Sequence, residues 1–153
     1  MIIKSLHRGG LNLLTLINQQ TVKYQANQTS YMVKIVEMDE HVKLEEQLEE
    51  DVSSVILLNK FNVNPEDVDE FMKRWAADAA AFKKQPGFIS AQLHRGIAGS
   101  GTFINYAVWE SAAHLKMAVS NADVQTRISE YPAGIVISPH IFKKVAVPGI
   151  CVD

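Results

Sequence analysis

The run Val55–Val63 (VILLNKFNV) breaks directly into Asn64-Pro65-Glu66-Asp67, and this junction constrains the fold more than any other part of the chain. A near-continuous apolar run containing β-branched residues reads as a buried strand. The Asn-Pro-Glu-Asp stretch reads as a helix start. Asn64 suits the cap, Pro65 the first helical position, and Glu66 and Asp67 the positive end of the helix dipole. Val68, Phe71, Met72, Trp75, Ala79 and Phe82 then recur at helical spacing, which makes Met72 and Trp75 core residues by expectation. Lys83 and Lys84 fit the C-terminal turn, and Pro86-Gly87 ends it.

The alternation of strands and helices continues along the chain. FISAQLHRGI (88–97) is a second strand, AGSGT (98–102) a loop, and FINYAVWE (103–110) a third strand, with the loop glycines favouring a hairpin. Ser111 caps a short helix, AAHLKMAV, and DVQTRISEY (123–131) supplies a further helical piece. VISPHIFKKVAV (136–147) is the last strand, with Pro139 pointing to an edge or a strand start. The order β-α-β-β-α-β is the signature of an α+β, ferredoxin-like antiparallel sheet with helices on one face. Side chains alternate along a strand, so Phe103, Asn105, Ala107 and Trp109 share one face. With Leu57 and Phe61 they are expected to form an apolar, helix-free face. A patch of that kind calls for a partner, and a homodimer is the economical answer.

The predicted domain spans 55–147, between an N-terminal extension (1–54) and a short tail (148–153). Residues 1–31 are expected to be poorly ordered, and Met32 is a candidate translation start. Leu11–Ile17 faintly resembles a signal h-region, but no small-residue cleavage site comes after it. Residues 39–51 hold seven acidic residues and one lysine, which suits a short exposed helix or a flexible arm. Net charge is −2 with scattered Lys and Arg, so no nucleic acid is expected as partner. No run reaches the length of a membrane span. The single cysteine, Cys151, excludes an intramolecular disulfide and favours a cytoplasmic setting. The five histidines (7, 41, 94, 114, 140) show no metal-ligand spacing. GIAGSG opens a strand, not a helix, so it is no phosphate loop.

Residues 55–147 resemble the antibiotic biosynthesis monooxygenase (ABM) domain of the dimeric α+β barrel superfamily. The resemblance is carried by PGFISAQLHR (86–95), INYAVWES (104–111) and SPHIFKKV (138–145). It implies a homodimer that oxygenates a small phenol- or hydroquinone-type aromatic without metal, flavin or other cofactor, the substrate supplying the electrons. It also implies that Asn105 and Trp109 line the pocket, the amide stabilising a developing aryloxide and the indole orienting the ring. The alternative for these two is structural, Trp109 filling the core and Asn105 bonding a neighbour.

His94 is the candidate general base, with a reference pKa near working pH. Arg95, of opposite parity, is expected to miss the pocket. Asn59, Phe61 and Phe103 are candidate substrate contacts, and His140 and Arg127 are more remote ones. Two alternatives remain beside the oxygenase. One is a non-catalytic dimeric module that binds a small apolar ligand or serves a stress-related role. The other is a haem-degrading monooxygenase, for which Asn59 and Trp109 fit. That reading lacks its axial histidine, since NADVQTRIS contains none and Ser129 stands about where it would be.

Overall fold

The structure, a computed structural model, describes residues 32–152. The expectations for residues 1–31 lie outside the described residues. Five strands form one mixed sheet: β1 (Lys34–Ile35), β2 (Ser53–Asn62), β3 (Phe88–Arg95), β4 (Thr102–Ser111) and β5 (Val136–Phe142), in the order β1-β5-β2-β4-β3. Four helices accompany them: α1 (Leu44–Gln47), α2 (Val68–Phe82), α3 (Ala112–Val119) and α4 (Ala122–Arg127). The expected β-α-β-β-α-β order is therefore present, and the sheet is not closed into a barrel within one chain.

The strand-to-helix junction works somewhat differently from the expectation. Pro65–Asp67 form a 3₁₀ turn first, and Asn64 makes no side-chain cap. Its amide instead donates to the Asp67 carboxylate at 3.1 Å. Ser111 does cap α3, its hydroxyl oxygen accepting from the His114 amide. Gly87, with φ +78°, is required where it stands, because a Cβ there would strike the His114 ring.

The central pairing sets which side chains face the helices. β2 and β4 pair antiparallel with Leu57 opposite Ala107, Asn59 opposite Asn105 and Phe61 opposite Phe103. These odd-numbered residues lie under the helices, not on the free face. Val55, Leu57, Ala107 and Trp109 pack with Ala112, Leu115 and Ala118 of α3 and with Phe82 of α2. Phe61 and Phe103 pack with Phe71, Tyr131, Ile135 and Ile137 in a second cluster. The expectation that Leu57, Phe61, Phe103, Ala107 and Trp109 form the helix-free face is therefore corrected, since helices claim that surface. All four helices contribute to this side. The opposite face is mixed, its apolar residues lying among Lys60, Gln92, His94, Ser138 and His140. It carries Leu58, Ile104, Tyr106, Val108 and Phe142, with Ile104, Tyr106 and Phe142 about 37–40% exposed.

Two other expectations change. Met72 is exposed on α2, whereas Trp75 is half-buried beside the core. Part of the segment read as an extension joins the fold. Lys34–Ile35 pair parallel with Val136–Ile137, and Leu48 is buried with Leu44 packed beside it. The short β1 explains how Pro139 sits in β5. Beyond Ile137, β5 is an edge, so proline's missing N–H costs no ladder bond. The next outward N–H, at Ile141, donates to Gln47 Oε1 at 2.9 Å.

Candidate functional site

The two apolar clusters are separated by a polar row across the sheet. On the helix-facing side Pro139, Asn59, Asn105 and Leu93 lie in register. A cavity of about 160 Å³ opens above this row, between the sheet and the helices. Asn59, Asn105 and Trp109 form part of its floor, with Leu57, Phe61 and Ala107. Trp75, Asp78, Ala79 and Phe82 of α2 form a wall, and Tyr131 closes one side. A dry cavity of about 150 Å³ holds one benzene ring, so this one is sized for a single six-membered ring.

The cavity's polar atoms are unusual for their lack of partners. Asn105 is 8% exposed and Trp109 1%. Asn105 Oδ1 and Trp109 Nε1 are both buried without a hydrogen-bond partner. Buried polar atoms without partners are rare in folded proteins and each calls for an explanation. The Trp109 ring is held edge-on by Phe82 and Phe88, at 5.9 and 5.4 Å between centroids. Its position is therefore fixed by packing, and its N–H is left for something else.

One ionisable residue of the cavity, Asp78, is absent from the residues singled out by sequence. It shares the inward face of α2 with Trp75 and Phe82, three before it and four after it. Burial raises its carboxyl above the ordinary carboxylate range, while hydrogen bonding from Tyr131 and the charge of Arg127 pull the other way. Burial, reinforced by the negative charge of Asp78, pushes the Tyr131 hydroxyl far above the ordinary phenol value. The sequence does carry a signal for Asp78: an acid placed on the apolar stripe of an amphipathic helix.

The structure unites some predicted site residues and separates others. Asn59, Phe61, Asn105 and Trp109 all line the cavity. Phe103 sits one row away, packed on Phe71 at 4.8 Å, and does not reach it. His94 pairs with Ile104 on the opposite face of the sheet and is exposed. Arg95, not His94, shares the face of Asn105, and its guanidinium lies 5.3 Å from the Phe103 ring centre. The cause is a bulge between Phe88 and Ser90. An extra residue in one strand inverts the facing of everything beyond it.

His140 also lies on the opposite face, with Gln47 Nε2 2.7 Å from its Nε2. Arg127 stands behind Asp78 with its Nε buried and unpartnered. No histidine is among the described cavity residues, and Ser129 donates to the Thr126 carbonyl at 2.7 Å. The described residues of the cavity thus offer haem no imidazole ligand. Among the described residues no cluster of His, Cys, Asp and Glu is placed to hold a metal ion, and no helix is long and apolar enough to cross a membrane.

Comparison with known proteins agrees with this architecture. Residues 54–127 match the family model for antibiotic biosynthesis monooxygenase. The fold is similar to that of SnoaB, a cofactor-independent oxygenase from Streptomyces nogalater, at TM-score 0.55 and 22% identity, over 64% of this chain and 99% of that one. It is also similar to a proposed monooxygenase from Shewanella loihica PV-4, at TM-score 0.54 and 25% identity over the same shares. A third likeness is to a proposed antibiotic biosynthesis monooxygenase from Bordetella bronchiseptica, at TM-score 0.54 and 18% identity, over 62% of this chain and 100% of that one. Among curated proteins nothing matches. Residues 54–127 thus carry the match to the antibiotic biosynthesis monooxygenase domain, and the described fold is similar to that of solved proteins so named.

Proposed function

We propose that this domain is a monooxygenase that inserts one atom of dioxygen into a single-ring hydroxyaromatic. The observation that carries the reading is the pair of unpartnered buried atoms, Asn105 Oδ1 and Trp109 Nε1, at one ring-sized apolar cavity. The Trp109 N–H can donate to an oxygen that gains negative charge as the ring becomes electron-rich, in the manner of an oxyanion hole, and Asn105 Oδ1 can accept from a ring hydroxyl. For a dihydroxybenzene the reaction balances as substrate plus O₂ giving a hydroxyquinone plus water. One oxygen atom enters the ring, the other leaves as water, and the substrate supplies all four electrons.

The domain acts in this reading as a homodimer, joined through the face that carries Leu58, Ile104, Tyr106, Val108 and Phe142. Among the described residues α1 touches that side only at its β5 border, through Gln47 on His140, and a second copy would cover the rest.

Oxygen uptake by the purified, metal-stripped protein against a panel of phenols and hydroquinones tests the activity. Uptake with one labelled atom from ¹⁸O₂ in the product is the expected result. A folded dimer that binds these rings but consumes no oxygen would replace the enzyme with a small-ligand-binding module, which the same apolar lining serves equally well.

A further inference from the structure

An aryloxide forms only if the substrate hydroxyl gives up its proton, and Asn105 and Trp109 cannot accept one. His94 cannot serve within the chain, because it lies on the opposite side of the sheet. Among the described cavity residues only Asp78 and Tyr131 ionise; the rest are apolar or are the amides of Asn59, Asn105 and Gln125. Tyr131 is held protonated, by burial first and by the neighbouring carboxylate second. It is therefore a donor, and Asp78 is the acceptor that remains.

We infer that Asp78 is the general base of this site, accepting the proton of a ring hydroxyl that points toward α2. The O–H bond breaks, its electron pair stays on the oxygen, and the proton passes to the Asp78 carboxylate. Delocalisation then carries negative charge through the ring toward the sheet side of the cavity. The unpartnered Trp109 N–H lies there to receive it. The site thereby selects a ring with an ionisable hydroxyl over its methyl isostere.

Several charged groups face the carboxyl. Tyr131 donates to it, Arg127 of α4 favours its ionised form, and Glu130 opposes it. Arg74 engages Glu130 at 3.1 Å and Glu70 at 2.8 Å, which holds Glu130 away from the cavity. Burial makes Asp78 a stronger base than a solvated carboxylate, and a base is most effective with its pKa near working pH. Tyr131 acts through Asp78 and is a positioning residue.

The inference rests on the oxygenase reading for its catalytic arm but not for its binding arm. In the catalytic arm, kcat/KM for hydroquinone is followed from pH 4 to 9. Wild type should show an acid limb, and Asp78→Asn should lower kcat at least about 100-fold, within the range general bases contribute, and lose that limb. Tyr131→Phe removes a bond that favours the ionised carboxyl, so its limb should move to higher pH. Asp78→Asn within threefold of wild type, with an unchanged profile, overturns the assignment and leaves the oxygenase standing.

In the binding arm, calorimetry compares phenol with toluene, its methyl isostere. The phenol-to-toluene affinity ratio should fall at least about tenfold in Asp78→Leu, the scale of one charge-assisted hydrogen bond. Asp78→Ala serves in its place if the leucine variant does not fold. An unchanged ratio overturns the inference even if oxygen is consumed. A fallen ratio without oxygen uptake upholds Asp78 and removes the oxygenase.

Discussion

Asn59 on β2 and Asn105 on β4 are direct cross-strand partners, their amides side by side on the helix-facing surface of the sheet. Cross-strand neighbours of this kind lie about 5 Å apart at Cβ. They interrupt what would otherwise be one continuous apolar core and leave a ring-sized space between two clusters. A sheet built only for stability would place branched aliphatics in this row. The amides weaken the fold where the cavity needs polarity.

Substitution at Asn105 should therefore separate stability from activity. Asn105→Leu removes an unpartnered buried amide oxygen and places its extra volume into existing space. Unsatisfied buried groups cost roughly 1–3 kcal/mol, so the variant should unfold at equal or higher urea concentration than wild type. Its turnover should fall by at least about tenfold, because the ring hydroxyl loses the acceptor that orients it. A sharp loss of stability with activity per folded molecule retained would make Asn105 structural.

Trp109 should behave differently. Its ring is clasped by Phe82 and Phe88, so Trp109→Phe loses packing as well as the N–H. A stability loss of about 1–3 kcal/mol is expected from the enlarged cavity. The decisive measurement is the product orientation of the residual turnover. Loss of the N–H should scramble the position oxygenated, which a mere filler residue would not control.

Asp78 makes stability depend on pH in a defined direction. Its folded pKa is raised by burial, so the native state holds the proton more tightly than the unfolded chain. Stability is then highest below the ordinary carboxylate range. It declines as pH rises through the folded pKa, and is level above it. Asp78→Asn removes the charge, so urea melts should show it gaining on wild type at pH 8 and losing that advantage near pH 3. An advantage independent of pH would contradict the assignment.

The reach of the sequence can be judged from single residues. Asn105 and Trp109 fall on one face in both sequence and structure, because period-two alternation holds within an uninterrupted strand. His94 and Arg95 exchange faces, because one bulge at Phe88/Ser90 reverses that alternation and no residue type announces it. The face the helices cover is also not legible. Both faces of β2 and β4 carry apolar residues, so composition cannot choose between them. Asp78 is legible in principle, as an acid on the buried stripe of α2. The cavity itself is not, since it depends on how α2 and α4 stand off the sheet.

The free face supplies a test of assembly. Light scattering at micromolar concentration should give twice the chain mass. Tyr106→Glu, at the centre of that face and 39% exposed in the single chain, should give monomers by placing a charge in the interface. A wild-type monomer would remove the proposed interface.

Deletions separate the two parts of the N-terminal segment. A chain beginning at Met32 should keep its thermal midpoint. One beginning at Asp51 lacks β1 and the packed Leu44 and Leu48, and should lose several degrees, as about 1–3 kcal/mol per buried leucine implies. Equal midpoints for both would mean that residues 32–50 contribute nothing to stability.

The β5 edge is closed to a further strand. Along it one stretch is occupied by the two residues of β1, Pro139 has no N–H to offer, and the Ile141 N–H is taken by Gln47. An incoming foreign strand finds no donor ladder there, which is how natural sheets resist edge-to-edge aggregation. The opposite border, β3, has no such cover, for no described strand lies beyond it. Among the described residues, therefore, the sheet offers a further strand its β3 border, Phe88–Arg95, and not its β5 border.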